Sequence, residues 1–314
     1  MKRQYKKTGD YGIGNMIHVI HMSDDVNKLN ELYHRVFGAF GFMTVDTPSY
    51  LPPEDRWASL LMVGDVCIET MAPNFPVDVT KPVGKFYSKF GEHLHSVGYQ
   101  VDDLPGLVDR LLSKGIYIGQ PGGGKIEKLP DDMAYVYPNP RDTGGLMVEL
   151  CKHEMPSDPK DQDIYTELMR LFRQHPLTIE RFSYVTLGVK DLDAAVKTYV
   201  DVMQAVPLQE GIDEDLQCKY YTVQLGDCLL QLAQPLEPDT DLGRHVEKYG
   251  NFIYSLRWKV ADIESANTWL NSVGIRTTRP RPDLIVCNVE DTLGAPWYFT
   301  NEEIPGDPFS TTAA

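Results

Sequence analysis

An internal repeat constrains the fold of this chain more than any other feature of its sequence. The segment HVIHMSDDVNKLNELYHRVFG, from His18, aligns with YVTLGVKDLDAAVKTYVDVMQ, from Tyr184. Each segment begins as a short apolar strand. Each then places an aspartate, Asp25 or Asp191, where a helix N-cap would accept a backbone hydrogen bond. Self-similarity of this kind indicates a duplicated architecture.

Three further pairs of segments follow in the same order along the two halves. They are VGDVCIETMAP with LGDCLLQLAQP, HSVGYQVDDLPGLVDRLLSKGI with YSLRWKVADIESANTWLNSVGI, and RDTGGLMVEL with VEDTLGAPWYF. The first pair is typical of strands stopped by proline, and the second of a strand followed by a helix that ends at Gly115 or Gly274. The sequence therefore predicts an α+β fold of four βαβββ units, which begin near residues 17, 93, 182 and 252.

One such unit is too small to bury its own sheet face, so we expect the units to pair. Two pairs form two tandem domains, each with a sheet closed around a concave space, and 314 residues suffice for two cores. We expect the first domain at 1–152, a linker with one helix at 153–181, the second domain at 182–303 and a tail at 304–314.

Charge and composition narrow the possible partners and the cellular location. The net charge of -15 repels phosphate backbones, which argues against a nucleic acid partner. The N-terminus lacks the apolar stretch of a signal peptide, and no apolar run has membrane-spanning length. The five cysteines are scattered and form no C-x-x-C pair, which suits a reducing compartment. We expect a soluble, cytoplasmic protein that does not bind membranes.

Four residues of the first half are candidates for a metal site. Each lies on the first or the last predicted strand of a unit. These residues are His18 and Glu69 in the first unit and His95 and Glu149 in the second. Two imidazoles and two carboxylates suit a divalent transition metal such as Fe, Mn, Co, Ni or Zn. Glu69 lies inside an apolar strand, where a charge is costly unless it is paired or bound to a metal. Glu149 and Glu69 are also the candidates for proton transfer.

The second half carries different residues at the equivalent positions. These are Tyr184, Gln231, Tyr254 and Tyr298. Three tyrosines and a glutamine make no ordinary metal site. The sequence therefore predicts a degenerate second domain, which keeps the fold and lacks the metal.

These motifs, taken in order, resemble the vicinal-oxygen-chelate superfamily, which includes glyoxalase I, methylmalonyl-CoA epimerase and extradiol dioxygenases. The resemblance rests on HV-x5-D-x7-Y, C-I-E-T, H-x5-VDDL and the closing PRDTGGLMVEL, and it is nearest to the epimerase and glyoxalase branches. It implies that His18 is the ligand of the first strand and that Glu149 is the terminal glutamate ligand. It also places Glu69 at a position that is Glu in glyoxalases and Gln in epimerases.

The fourth ligand depends on the local register of one strand. Counting back from Val101 places the ligand of the superfamily at Ser96, whereas residue type favours His95. Side chains alternate between the faces of a strand, so His95 and His93 would share the apolar, helix-facing side with Val97. A one-residue bulge before Ser96 would return His95 to the cavity. We adopt His95, with His93 and Ser96 as the alternatives.

The resemblance implies a divalent-metal-dependent epimerase, isomerase or glyoxalase-like lyase, which moves a proton next to a substrate carbonyl. The alternatives are an extradiol-type ring-cleaving dioxygenase and a non-catalytic protein that binds small molecules. The partner in each case is a small molecule with a carbonyl group or vicinal oxygens. A homodimer is compatible with the sequence.

Overall fold

A computed structural model describes residues 7–41, 47–121, 123–152 and 159–309. Residues 153–158 of the predicted linker and 310–314 of the predicted tail lie outside the described residues. The α-helices are α1 Val26–Phe37, α2 Pro82–Phe90, α3 Leu104–Ser113, α4 Tyr165–Gln174, α5 Leu192–Lys197, α6 Asp241–Tyr249 and α7 Ile263–Ser272. A 3-10 turn covers Pro159–Asp161, and a π-helical turn, Thr198–Val202, continues α5.

The strands of the first half are β1 Ile13–Met22, β2 Phe40–Gly41, β3 Ser49–Leu51, β4 Arg56–Val63, β5 Val66–Pro73, β6 His93–Val101, β7 Ile118–Gly119, β8 Tyr135–Pro138 and β9 Val148–Cys151. Those of the second half are β10 Ile179–Gly188, β11 Val206–Asp213, β12 Cys218–Leu225, β13 Cys228–Pro235, β14 Phe252–Val260, β15 Thr277–Arg281, β16 Leu284–Cys287 and β17 Trp297–Thr300.

Each half forms one sheet, and the two sheets have the same plan. The first has the order β2-β4-β5-β1-β6-β9-β8-β7, with β3 paired to β4, and the second has the order β11-β12-β13-β10-β14-β17-β16-β15. The first strand of each unit is parallel to the last strand of the same unit, and the two units meet antiparallel, at β1–β6 and at β10–β14. This confirms the α+β fold of four paired βαβββ units.

A bulge interrupts β6 at His95, the residue whose orientation the sequence did not determine. The pairing of β1 with β6 passes from Ile20 opposite Ser96 to His21 opposite Leu94, which leaves His95 as the extra residue. An extra residue shifts the alternation of side chains by one position. The pairing of β10 with β14 skips Tyr254 in the same way, so the bulge is part of the repeat.

A layer of helices lies between the two sheets. Phe37 of α1, in the first half, packs against Trp258 and Trp297 of the second sheet, with ring centroids 5.0 Å and 4.9 Å apart. In the reverse direction, the Tyr199 hydroxyl of the second half donates a 2.9 Å hydrogen bond to the Thr143 carbonyl of the first. The two halves therefore share one hydrophobic core.

Within the described ranges, no helix combines the length and the apolar character that crossing a membrane would require.

Candidate functional site

The four adjacent strands at the centre of the first sheet each contribute one of the predicted metal ligands. The strand order is β5-β1-β6-β9, and the residues in that order are Glu69, His18, His95 and Glu149. Gly98 lies opposite His18 and beside Glu149, so these positions share one face of the sheet. The structure thus brings together side chains that are up to 131 positions apart, from 18 to 149.

His18 has a free ring nitrogen in a buried position. The residue is 5% exposed, and its Nε2 has no hydrogen-bond partner among the described residues. Its Nδ1 lies 3.4 Å from Oε2 of Glu69. A Cβ atom at Gly98 would lie 2.8 Å from Nε2, so the glycine opposite makes room for the imidazole. Buried polar atoms without partners are rare, and this one is well placed to bind a ligand.

The bulge brings His95 to this face of the sheet, within electrostatic range of Glu69 and His18. Its Nδ1 lies 2.8 Å from Oγ of Ser96, and its ring packs against Phe86 with centroids 4.3 Å apart. Burial, with a further contribution from a nearby arginine, lowers the pKa of His95 to about 3. The imidazole is therefore neutral at pH 7, which is the form that binds metals.

The two alternatives to His95 have different surroundings. Ser96 lies beside His95 and shares its hydrogen bond. His93 instead packs among aromatic rings, including those of His245 and Tyr249 from the second half at 5.3 Å and 5.0 Å. The His93 ring therefore packs in an aromatic cluster with the second half, within electrostatic range of His95.

Arg56 is a member of the site that the sequence analysis missed. Its buried guanidinium group forms ion pairs with Glu69 and with Glu54. Burial opposes ionisation of Glu69, but the charges of Arg56 and His18 outweigh it and hold the pKa of this carboxyl below its usual value. The sequence does contain a signal for Arg56, namely the hairpin turn at Gly64. Counting residues outward from this turn pairs Leu60 with Glu69 and Arg56 with Pro73, and these two pairs lie on the same face of the sheet.

Glu149 has a second partner that was also missed. The Tyr137 hydroxyl, on the neighbouring β8, donates a 2.9 Å hydrogen bond to Oε2 of Glu149. Burial raises the pKa of Glu149, the charge of His18 partly opposes this shift, and the charge of Glu69 adds to it. The two carboxylates therefore differ: Glu69 is held ionised, and Glu149 takes up a proton more readily.

The donor set suits a divalent metal. Imidazole and carboxylate donors converge on one face, and the buried Nε2 of His18 has no other partner. In the arrangement described, Arg56 takes one oxygen of Glu69. No group of three or more His, Cys, Asp or Glu side chains is close enough to hold an ion within the parts of the chain that the structure covers.

The second half has the predicted residues at the equivalent places. The Tyr254 and Tyr298 hydroxyl oxygens lie 3.4 Å apart, and Gln231 accepts a 3.0 Å hydrogen bond from Thr186. Tyr184 lies opposite Arg257, whereas His18 lies opposite a glycine. An arginine side chain thus occupies the second sheet where the first leaves space.

No family model matches this sequence, and no curated protein matches it. The structure is similar to that of a triple mutant of 4-hydroxymandelate synthase from Streptomyces coelicolor, with a TM-score of 0.67 at 14% identity over 94% of this chain and 95% of that chain. Methylmalonyl-CoA epimerase from Mycobacterium tuberculosis matches 39% of this chain with 87% of its own, at 21% identity and a TM-score of 0.37. The first likeness extends over nearly all of both chains, and it shows that this chain has the tandem, two-domain fold of the vicinal-oxygen-chelate superfamily.

Proposed function

We propose that this chain is a divalent-metal-dependent enzyme that moves a proton next to the carbonyl group of a small-molecule substrate. The observation that carries the proposal is the buried, unpartnered Nε2 of His18, on a sheet face to which four adjacent strands bring imidazole and carboxylate groups. His18, His95 and Glu149 would hold the metal, and Glu69 is a fourth donor shared with Arg56. A metal bound there would polarise the substrate carbonyl and stabilise negative charge on its oxygen.

Glu149 is the residue best placed to carry the proton. The hydrogen bond from Tyr137 engages Oε2 and orients the carboxylate, which leaves Oε1 to accept the proton of the substrate. The proton of the C–H bond moves to Glu149, and the electron pair of that bond moves toward the carbonyl oxygen. Return of this proton from Glu149 to a neighbouring atom gives an isomer. An epimer forms when a water molecule protonates the opposite face of the same carbon and Glu149 releases its proton to the solvent.

Glu69 has a different role in this scheme, because Arg56 keeps it ionised. A fixed negative charge beside His18 orients the imidazole through Nδ1 and leaves Nε2 toward the cavity. Glu69 and Arg56 are therefore positioning residues for His18. Glu69 binds the metal as well if Arg56 releases its carboxylate oxygen.

The ion pair between Arg56 and Glu69 favours one second candidate function. With Glu69 held in its ion pair with Arg56, the remaining donors are two histidines and one carboxylate, His18, His95 and Glu149. This is the ligand set of non-haem iron oxygenases. A ring-cleaving dioxygenase of the extradiol type is therefore the alternative enzyme.

Metal content measured by mass spectrometry tests the site directly. We expect about one equivalent of a transition metal per chain in the wild type and its loss in His18→Ala and Glu149→Ala. His34→Gln is the matched control, because His34 lies on α1 and its Nδ1 bonds to the Ala39 carbonyl, away from the site. A wild-type protein that holds no metal after reconstitution with Fe, Mn, Co, Ni and Zn would contradict the proposal and favour a non-catalytic binding protein.

The metal-loaded protein then separates the two reactions. In D₂O, proton transfer incorporates deuterium next to the carbonyl of a substrate, and NMR detects it with a CoA thioester, a glutathione hemithioacetal and a sugar-like ketone as probes. Oxygen uptake with catechol is the parallel assay. Deuterium incorporation without oxygen uptake supports the proposed proton transfer, whereas oxygen uptake that depends on iron overturns it in favour of the dioxygenase.

A further inference from the structure

The second half contains a buried positive charge where the first half has its free histidine nitrogen. Arg257 lies opposite Tyr184 on the central strands, and the residue is 5% exposed. Its guanidinium carbon lies 4.8 Å from the centre of the Tyr184 ring and 5.2 Å from that of the Tyr298 ring. The arginine is thus held in place by stacking on two aromatic rings.

This guanidinium group has no acceptor among the residues that the structure describes. No hydrogen bond or ion pair of Arg257 is present there, and its Nε is buried without a partner. Two other buried arginines form ion pairs within the chain: Arg56 with Glu69, and Arg181 with Asp307. Asp215 is within electrostatic range of Arg257 but forms no hydrogen bond with it among the described residues, so the N–H donors of Arg257 are available to an anion from outside the chain.

Arg257 faces a cavity of about 560 Å³, a size suited to a small molecule. Beside it, Thr222 and Gln231 are buried polar residues of the same wall. Oε1 of Gln231 accepts the 3.0 Å hydrogen bond from Thr186, and its amide N–H groups are available as donors to a ligand. The inner wall therefore offers hydrogen-bond donors around a fixed cation.

The outer part of this cavity is acidic. Five carboxylates line it: Asp213, Glu214, Asp215, Glu302 and Glu303. Three of them are paired, Asp215 at 2.8 Å and Glu302 at 3.0 Å with the rim arginine Arg281, and Glu303 with Lys259. Negative charge at the rim repels anions, and it acts most strongly on a second negative charge that stays at the rim while the first one reaches Arg257. The charge pattern selects a small ligand with a single anionic group at its inner end.

We propose that the concave face of the second sheet is a binding site for a small monocarboxylate, with the carboxylate on Arg257. A guanidinium group and a carboxylate match in charge and in planar, two-donor geometry. In this site Arg257 supplies the positive charge that a metal would supply in the proposed first site. Binding is therefore independent of metal and of the function proposed for the first half.

Three compounds of one chain length test the proposal: hexanoate, adipate and hexylamine, each titrated by calorimetry in the presence of a chelator. We expect hexanoate to bind, adipate to bind more weakly because of the acidic rim, and hexylamine not to bind. Hexanoate that does not bind at millimolar concentration, or hexylamine that binds as well, would overturn the proposal. Adipate that binds more tightly than hexanoate would overturn the single-charge specificity.

Two variants assign the binding to Arg257. Arg257→Met should weaken hexanoate binding about tenfold or more. The control Arg170→Met removes an exposed arginine of α4 that pairs with Glu167, and should change nothing. Because Arg257→Met could fail to fold, Gln231→Glu is the second variant. It supplies an internal carboxylate at the position of Glu69 in the first half, so it should raise the melting temperature and abolish hexanoate binding. Unchanged binding in a folded Arg257→Met or in Gln231→Glu would refute the assignment.

Discussion

Arg56 and Arg257 each bring a buried guanidinium group into one half of the molecule, and their surroundings differ. Arg56 is paired with Glu69 and Glu54, whereas Arg257 is stacked between tyrosine rings. In the first half, the arginine and a divalent metal would compete for the same carboxylate. The strength of metal binding should therefore depend on Arg56, although this residue donates nothing to a metal.

Replacement of Arg56 by methionine keeps much of the apolar volume and removes the charge. We expect tighter metal binding, by about tenfold, because the substitution removes the repulsion between a buried cation and a divalent ion. Competition titration against a fluorescent chelator measures the dissociation constant. Arg276→Met, at an exposed arginine paired with Asp291, is the control. Weaker binding in Arg56→Met would show that the arginine supports the metal site.

At the scale of single elements, the register of β6 decides which side chains reach the site. The bulge turns His95 toward the cavity, and Gly98, three positions later, leaves space for the ring of His18. Both features concern the backbone, and both lie on one strand. A change to β6 that keeps all the donor residues should therefore still weaken metal binding.

Gly98→Ala tests this dependence on the strand. The added methyl group would lie 2.8 Å from Nε2 of His18 and push the imidazole away, so we expect at least a tenfold loss of metal affinity in a protein that remains folded. Gly14→Ala on β1 is the matched control, because the three atoms nearest to its new Cβ belong to the flexible side chain of Lys7. Metal affinity measured by the same competition titration would remain unchanged in Gly98→Ala if the His18 ring were not a ligand.

The sequence predicted the elements well where a local signal marks them. Asp25 and Asp191 cap α1 and α5, as expected, by accepting hydrogen bonds from the backbone N–H groups of Asn27 and Ala194. Gly115, like its counterpart in the second half, follows its helix with a positive φ, of 80°. Each of these features depends on residues only a few positions apart. The repeat shows the same local pattern in both halves.

The parts that the sequence did not predict depend on contacts between strands. Arg56 and Tyr137 join the site through pairing with β5 and β9, and neither has a chemical signature of its own. The bulge at His95 was recognised only as a possibility, because one extra residue leaves no mark in composition. Arg257 was passed over because the repeat aligns it with a glycine.

At the scale of the whole molecule, one histidine links the two halves through the helix layer. The Tyr33 hydroxyl donates a 3.0 Å hydrogen bond to Nδ1 of His21, and Nε2–H of His21 donates a 2.8 Å bond to the Leu293 carbonyl of the second half. The carbonyl can only accept, so the ring is the neutral Nε2–H tautomer. Burial lowers the pKa of His21 from 6.5 to about 4.

This shift predicts a pH dependence of stability. The folded pKa of His21 is below the unfolded value, so the unfolded chain takes up the proton first as the pH falls. The contribution to stability is complete above about pH 6.5 and is lost between pH 6.5 and pH 4, by roughly 3 kcal/mol. His21→Gln should therefore flatten the dependence of the unfolding free energy on pH in this interval, as urea denaturation would measure. A slope equal to that of the wild type, or one changed as much by His34→Gln, would rule out this role.

The helix layer also fixes where the two concave faces point. Phe37 packs on the side of the second sheet that carries Trp258, and Arg257, the residue before it, points to the other side. The same alternation directs Val19 into the shared core and His18 away from it. The side chains that mark the two candidate sites therefore both point away from the core that the two halves share. A ligand can enter either site without displacing the residues that hold the halves together.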